Sequence, residues 1–267
     1  MESKVEGDRR PGDFAALLAD SGDLPLRVDS PAASVEPEGG PHAHGTTVIA
    51  VKYRGGVLNV ADRRATAANY IMYDRAEKLV AIDDHMMMAI TGSYAKSLEV
   101  VRYLRSSFRY FERSQLQGMS LEGKLTEVSR LIAGNIPNMM SGIGAFLPVV
   151  SAWDEERGCG RVFFYDGLGA RFEEDEYGVA GSGSGRIQGV FEYILRTKGR
   201  FSEMELDAAL EDALVLLNVA AKMDSATGGF AVHLPCAKIV TTDGVADIGE
   251  ERLAPLCQEI LRRAHGV

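Results

Sequence analysis

Cysteine is scarce in this 267-residue sequence: Cys159, Cys236 and Cys257 stand far apart, odd in number and without a C-x-x-C pair. That argues against a disulfide framework and against a zinc site, and no metal is expected. Long apolar runs are missing as well. Nothing approaches the 18 or more residues of a membrane span, and the opening Met-Glu-Ser-Lys-Val-Glu has no signal-peptide core, so the expectation is a cytoplasmic chain with no membrane partner. A basic excess is absent too. The 29 Lys and Arg against 38 Asp and Glu leave a net charge of -9, which gives no footprint for a nucleic-acid backbone. No internal repeat is evident. What is present is an ordinary globular composition, 46% hydrophobic and 25% charged, long enough to bury a substantial core.

Proline and glycine are unevenly spread. Residues 1–45 hold 11 of them, including Pro11, Pro25, Pro31, Pro37 and Pro41, against 27 in the remaining 222 residues. The same stretch carries nine acidic and four basic residues, and such a segment buries too little apolar surface to offset chain entropy. It reads as an irregular leader, with Asp13-Phe14-Ala15-Ala16-Leu17-Leu18 as one short amphipathic turn. Periodic structure begins at Thr46.

Thr47 to Tyr53 and Val57 to Ala61 flank the turn signal Arg54-Gly55-Gly56 and predict a β-hairpin. If the turn centres on Gly55, paired positions sum to about 110, so Thr46 faces Arg64 and lies diagonally from Asp62 at roughly 7–8 Å. Apolar runs at Leu79–Ile82 and His85–Thr91 follow. Helical spacing then appears in Leu98, Val101, Leu104, Phe108 and Phe111, and again in Leu121, Leu125, Val128 and Ile132, up to a stop at Pro137. Further strands are expected at Phe146–Trp153, Arg161–Tyr165 and Phe230–Val240. Helices are expected at Ile187–Leu195, at Leu206–Leu217 behind a Ser202/Glu205 capping box, and through Leu253, Leu256 and Ile260. This order fits an α+β fold of two packed sheets with helices outside, a four-layer αββα sandwich.

The junction His44-Gly45-Thr46-Thr47 carries the sharpest chemical signal. A threonine hydroxyl is a poor nucleophile unless a base stands beside it, and the residue's own α-amine is one such base. That amine titrates near pH 7.7–8.0, but it exists only once the Gly45–Thr46 bond is cut. Taken alone, a flexible tail meeting an ordinary strand is the plainer account of this junction.

Other segments change that balance. Ala61-Asp62-Arg63-Arg64-Ala65-Thr66, Glu77-Lys78, Ile90-Thr91-Gly92-Ser93, Gly181-Ser182-Gly183-Ser184 and Asp224-Ser225-Ala226-Thr227-Gly228-Gly229 occur in that order. With the leader junction, they make the chain resemble the proteasome β subunits, most closely the actinobacterial and archaeal type, over all of residues 46–267. The resemblance implies an N-terminal-nucleophile hydrolase. It implies a propeptide, residues 1–45, removed by self-cleavage between Gly45 and Thr46, and assembly with α subunits and other β subunits in stacked seven-membered rings served by a ring ATPase. The activity implied is that of a threonine endopeptidase, with no cofactor.

By the same resemblance, Thr46 is the nucleophile, and Asp62 and Lys78 are the charged pair beside it. Ser182, Asp224 and Thr227 support the α-amine; Thr227 stands where the family usually has serine. The Gly92 N–H is the oxyanion donor. Ala65, Thr66, Ala76, Val80, Ile90, Tyr94 and Leu98 line the substrate pocket, with Tyr94 in place of the usual small residue. None of these pocket residues carries a formal charge, so cleavage is expected after hydrophobic residues. Two alternatives are a non-catalytic ring subunit and the bacterial relative with six-membered rings. The first would lose some of these residues; the second has Gly-Asp-Gly where this chain has Ala61-Asp62-Arg63-Arg64.

Other motifs read as incidental. Gly181 to Arg186 fails the dinucleotide pattern G-x-G-x-x-G at Arg186. Ser93-Tyr94-Ala95-Lys96 matches S-x-x-K without its companion motifs and reads as a helix start. His42 and His44 lack further ligands. Met86-Met87-Met88 reads as core.

Overall fold

The computed structural model describes residues 45–67, 70–140 and 144–265. The leader, its Asp13–Leu18 turn and His42 and His44 therefore lie outside the described residues. The described residues form twelve strands: β1 (Thr47–Tyr53), β2 (Gly56–Ala61), β3 (Ala65–Ala67), β4 (Tyr70–Tyr73), β5 (Leu79–Asp83), β6 (Met86–Ala89), β7 (Val149–Asp154), β8 (Cys159–Tyr165), β9 (Arg171–Glu174), β10 (Tyr177–Gly181), β11 (Cys236–Thr241) and β12 (Gly244–Asp247). The helices are α1 (Tyr94–Gln115), α2 (Leu121–Ala133), α3 (Ile136–Met140), α4 (Ser184–Thr197), α5 (Leu206–Met223) and α6 (Glu250–His265).

One antiparallel sheet runs β10-β1-β2-β11-β12 and the other β5-β6-β7-β8-β9, with β3-β4 as a separate ribbon. Period-two alternation sorts β1 cleanly. Val48 and Ala50 pack between the sheets with Leu79, Met87, Val149 and Val162. Ile49 and Val51 face the other way, joining residues of α4, α5 and α6 in a second core. A third core seats α1 and α2 on the outer face of the second sheet through Met88, Leu104, Phe108, Leu125 and Ile132. The expected αββα layering is therefore present, and the methionine run is buried core.

Several local expectations are corrected. Val48 pairs with Ala61 and Tyr53 with Gly56, so the turn holds two residues, Arg54 and Gly55, and paired positions sum to one less than expected. A one-residue slip changes which face a side chain meets. Here it puts Asp62 opposite Thr47, and the Asp62 N–H donates to the Thr47 carbonyl at 3.3 Å. The strands expected from Phe146 and Phe230 begin only at Val149 and Cys236, each directly after a proline, Pro148 and Pro235, which has no N–H to give a ladder. The second long helix stops at Ala133, where the Gly134 N–H bonds the Arg130 carbonyl; Pro137 falls in the first turn of α3, where a missing N–H costs nothing. Ser202 forms no capping box. Its N–H and hydroxyl both bond the Glu176 carboxylate at 2.9 Å, and Glu205 occupies the cap position of α5 without a capping side-chain bond, its carboxylate pairing with Arg54 instead.

Candidate active site

Thr46 immediately precedes β1 and is only 4% exposed. Its hydroxyl donates to the Gly45 carbonyl oxygen at 2.7 Å, so Oγ1 lies against the peptide that a self-cleavage would break. Gly45 is held on both sides. Its N–H donates to Thr66 Oγ1 on β3 at 2.9 Å, and a Cβ at this position would fall 1.8 Å from Ala226 Cβ. No side chain larger than hydrogen fits there. The small residue at the junction is thus a packing requirement imposed by the segment after α5.

Beneath this junction is a buried ion pair. Lys78 Nζ lies 2.8 Å from Asp62 Oδ1, and both residues are 1% exposed. Asp62 takes four bonds in all: Oδ1 accepts from Lys78 and from the Thr47 N–H at 2.9 Å, and Oδ2 accepts from the Arg64 and Gly228 N–H groups, each at 2.9 Å. Full satisfaction is what makes a buried carboxylate tolerable. Burial pushes the Lys78 ammonium below the usual lysine range, and the pull of Asp62 only partly opposes it. Lys78 gives up a proton more readily than a surface lysine.

The other side is built where β10 ends and α5 stops. Thr47 pairs with Gly181, which brings the next residue, Ser182, to Thr46. The Thr46 N–H donates to Ser182 Oγ at 3.3 Å, and Ser182 donates to Asp224 Oδ2 at 2.5 Å. Thr227 donates to that same oxygen at 2.5 Å, and the Ala226 N–H reaches Asp224 Oδ1 at 3.3 Å. Burial alone would raise the Asp224 carboxyl, but the hydroxyls of Ser182 and Thr227, the Ala226 amide and the charge of Arg186 bring it below the usual carboxylate range. Asp224 sits at the C-terminal cap of α5, so the helix end itself delivers it.

The remaining expected residues are placed less closely. Gly92 has φ +79 and bridges Phe146; a Cβ there would fall 2.3 Å from the Ala145 carbonyl oxygen, so only glycine fits. The bonds that tie the cluster together do not run through it. Of the pocket residues, Thr66 reaches Gly45, while Ala76 and Ile90 are buried at 2% exposure and their N–H groups bond the Arg63 and Lys78 carbonyls. Val80 and Leu98 are half-buried, and Ala65 lies on β3. Tyr94 opens α1 and donates its hydroxyl to the Glu77 carbonyl at 3.1 Å, one residue from Lys78. The S-x-x-K motif is a helix cap in which Ser93 Oγ accepts from the Lys96 N–H.

Two sets of contacts in this cluster escaped the sequence. Arg64, whose N–H bonds Asp62, turns its guanidinium to Asp74 at 3.0 Å and donates to the Ser225 carbonyl at 3.2 Å. Thr47 is wired to both sides, through its N–H to Asp62 and its hydroxyl to Thr227. A second threonine after Thr46, alternating to the opposite face of β1, was the available signal.

Residues 42–233 match the family described as Proteasome subunit. The chain belongs to the proteasome subunit family. Among curated relatives, a proteasome subunit beta of Acidothermus cellulolyticus is 31% identical over 89% of this chain and 81% of its own length. Another from Acidimicrobium ferrooxidans is 32% identical over 94% and 89%. A third, from Frankia casuarinae, is 32% identical over 82% and 79%. The sandwich described above is accordingly the N-terminal-nucleophile hydrolase fold of that family. Among the described residues no helix is long and apolar enough to cross a membrane.

Proposed function

We propose that this chain is a catalytic proteasome β subunit, a threonine endopeptidase made as a precursor. Residues 1–45 are the propeptide and 46–267 the catalytic domain. The observation that carries the reading is the Thr46 hydroxyl, 2.7 Å from the Gly45 carbonyl oxygen, with a buried Lys78–Asp62 pair on one side and Ser182–Asp224 on the other.

In maturation, Thr46 Oγ attacks the Gly45 carbonyl carbon and the C–N bond to Thr46 breaks. The leaving nitrogen takes a proton and becomes the α-amine, and the new ester is hydrolysed by water to a Gly45 carboxylate and the free Thr46 hydroxyl. Before this cut the Thr46 nitrogen is an amide and cannot act as a base. Afterwards the amine accepts the hydroxyl proton when Thr46 attacks a substrate peptide, and returns it to the leaving amine. Ser182 and Asp224 orient that amine, with Thr227 bracing Asp224. Lys78 favours the ionised oxygen of Thr46, and the Gly92 N–H is assigned to the oxyanion, a type of donor whose loss costs on the order of 3 kcal/mol in other enzymes. No cofactor enters this chemistry.

Ala65, Thr66, Ala76, Val80, Ile90, Tyr94 and Leu98 receive the residue before the scissile bond. A charged substrate side chain would lose hydration there with no partner, whereas an enclosed apolar one gains about 1.5–3 kcal/mol. The Tyr94 hydroxyl is committed to the Glu77 carbonyl, so the tyrosine presents its ring to this space. The working form is a cytoplasmic particle of seven-membered rings with α and further β subunits, fed unfolded protein by a ring ATPase.

The test is peptide hydrolysis by the chain assembled with its α partner, followed by size exclusion. Activity is expected in a particle of several hundred kilodaltons with preference for leucine-like residues, and Thr46→Ala should abolish it. A fully active species no heavier than a single chain, 28.9 kDa uncut and less once cut, or preference for arginine or glutamate, would contradict the reading.

A further inference from the structure

Thr47 has a place in the hydrogen-bond network that the reaction described above leaves unused. It is fully buried, and three of its groups are spoken for. Its N–H donates to Asp62 Oδ1, the same oxygen that holds Lys78 Nζ. Its carbonyl accepts from the Asp62 N–H at 3.3 Å, so Thr47 and Asp62 are clasped in both directions. Its hydroxyl lies 2.7 Å from Thr227 Oγ1.

The direction of that last bond follows from counting protons. A hydroxyl has one hydrogen to donate. Thr227 spends its own on Asp224 Oδ2, so between the two threonines Thr47 is the donor. The chain of donors is therefore fixed: Thr47 to Thr227, Thr227 to Asp224, with Ser182 donating to the same Asp224 oxygen and accepting from the Thr46 nitrogen. A hydroxyl that accepts a hydrogen bond is a stronger donor in turn. The Thr47 hydroxyl thus strengthens the Thr227 bond that helps keep Asp224 ionised.

We propose that Thr47 is a positioning residue for peptide hydrolysis, whose hydroxyl, acting through Thr227 and Asp224, holds the Ser182 side of the site in register with the Asp62–Lys78 side. It touches no reacting atom. Its effect is on the geometry and charge of the group that orients the α-amine. The inference rests on Thr46 being the nucleophile, and its test separates the two.

The experiment uses the assembled, matured particle carrying Thr47→Val, which keeps the side-chain shape and removes the hydroxyl. The expected result is a fall in kcat of about tenfold with KM unchanged, the scale of one lost hydrogen bond. The acid limb of the pH–rate profile, which the α-amine sets, should move up, because an Asp224 carboxylate held less firmly by Thr227 keeps more of its charge for the protonated amine beside Ser182. Thr47→Ser, which keeps the hydroxyl, should recover most of the rate and the wild-type acid limb. If Thr47→Val fails to assemble, Thr47→Ala removes the same donor without a second methyl and is held to the same profile. Wild-type kcat and an unmoved acid limb in the hydroxyl-free variant would overturn the proposal while leaving the role of Thr46 intact. Equal losses in the serine and hydroxyl-free variants would overturn it too, since they would mark a packing role. A correctly cut wild-type particle without hydrolysis would overturn both the nucleophile assignment and this one.

Discussion

The two sides of the site differ most in their access to water. Asp62 and Lys78 have side-chain exposures of 0% and 2%, and every oxygen of the carboxylate is spoken for by protein donors. Ser182 is exposed and Asp224 half-buried, with two hydroxyls converging on one oxygen. Charge acts strongly in the dry half because little solvent screens it. Proton exchange suits the wet half, where water can reach Ser182 and Asp224. In the proposed reaction the difference matches the roles: the dry pair would set the electrostatic environment of Thr46, and Ser182 and Asp224, braced by the buried Thr227, would handle its proton.

The largest effect that can break this contrast is loss of the dry-side cation. Lys78→Ala should lower peptide hydrolysis by about 10³-fold or more while the ring still forms, as read from turnover in purified particles. Lys78→Arg keeps the charge but not the compact reach, and should also be severely impaired. Near wild-type turnover in Lys78→Ala would remove the dry half from the chemistry.

On the wet side, Asp224→Asn should cost about 10²-fold, with the loss smallest at low pH, because removing the carboxylate also lowers the pKa of the α-amine and leaves more of it free to act as base. The sign for stability follows from the lowered Asp224 carboxyl. Its contribution is fully present above the ordinary aspartate pKa and disappears as pH falls through the lower folded value. Thermal melts of wild type and Asp224→Asn should therefore converge only in strong acid. A constant gap at all pH values would contradict the assignment.

A smaller effect is expected at Tyr94, whose hydroxyl hangs on the residue beside Lys78. Tyr94→Ala should raise cleavage after phenylalanine relative to leucine in a fluorogenic panel, and an unchanged ratio would take the ring out of the pocket wall. The smallest is a null result. The Cys236 thiol lies 3.8 Å from Glu77 Oε2, and burial with that carboxylate pushes it up to about 11. Alkylating reagents at pH 8 should leave Cys236 unmodified by mass spectrometry and activity intact. Rapid modification there would mean that the dry half is open to solvent.

Much of this arrangement was legible in sequence because it is carried by local pattern. β-branched alternation placed β1 and β2, 3.6-residue spacing placed the long helices, and by resemblance the leader junction marked Thr46 while five short segments in order marked Asp62, Lys78, Gly92, Ser182 and Asp224. What escaped depends on a single residue of register or on distant contacts. The two-residue turn at Arg54-Gly55 decided that Asp62 meets Thr47, and no local rule fixed that count. Ser202 looked like a cap until Glu176, 26 positions away, took both its donors. Thr47 read as an ordinary strand residue because its partner, Thr227, is 180 positions distant.

The most direct test of the account is intact mass spectrometry of the chain after assembly with its α partner under protease-free conditions. The account predicts a product beginning at Thr46 in the wild type and the uncut chain in Thr46→Ala. A cut between Gly45 and position 46 in Thr46→Ala, or a fully active wild-type particle that still carries residues 1–45, would contradict it.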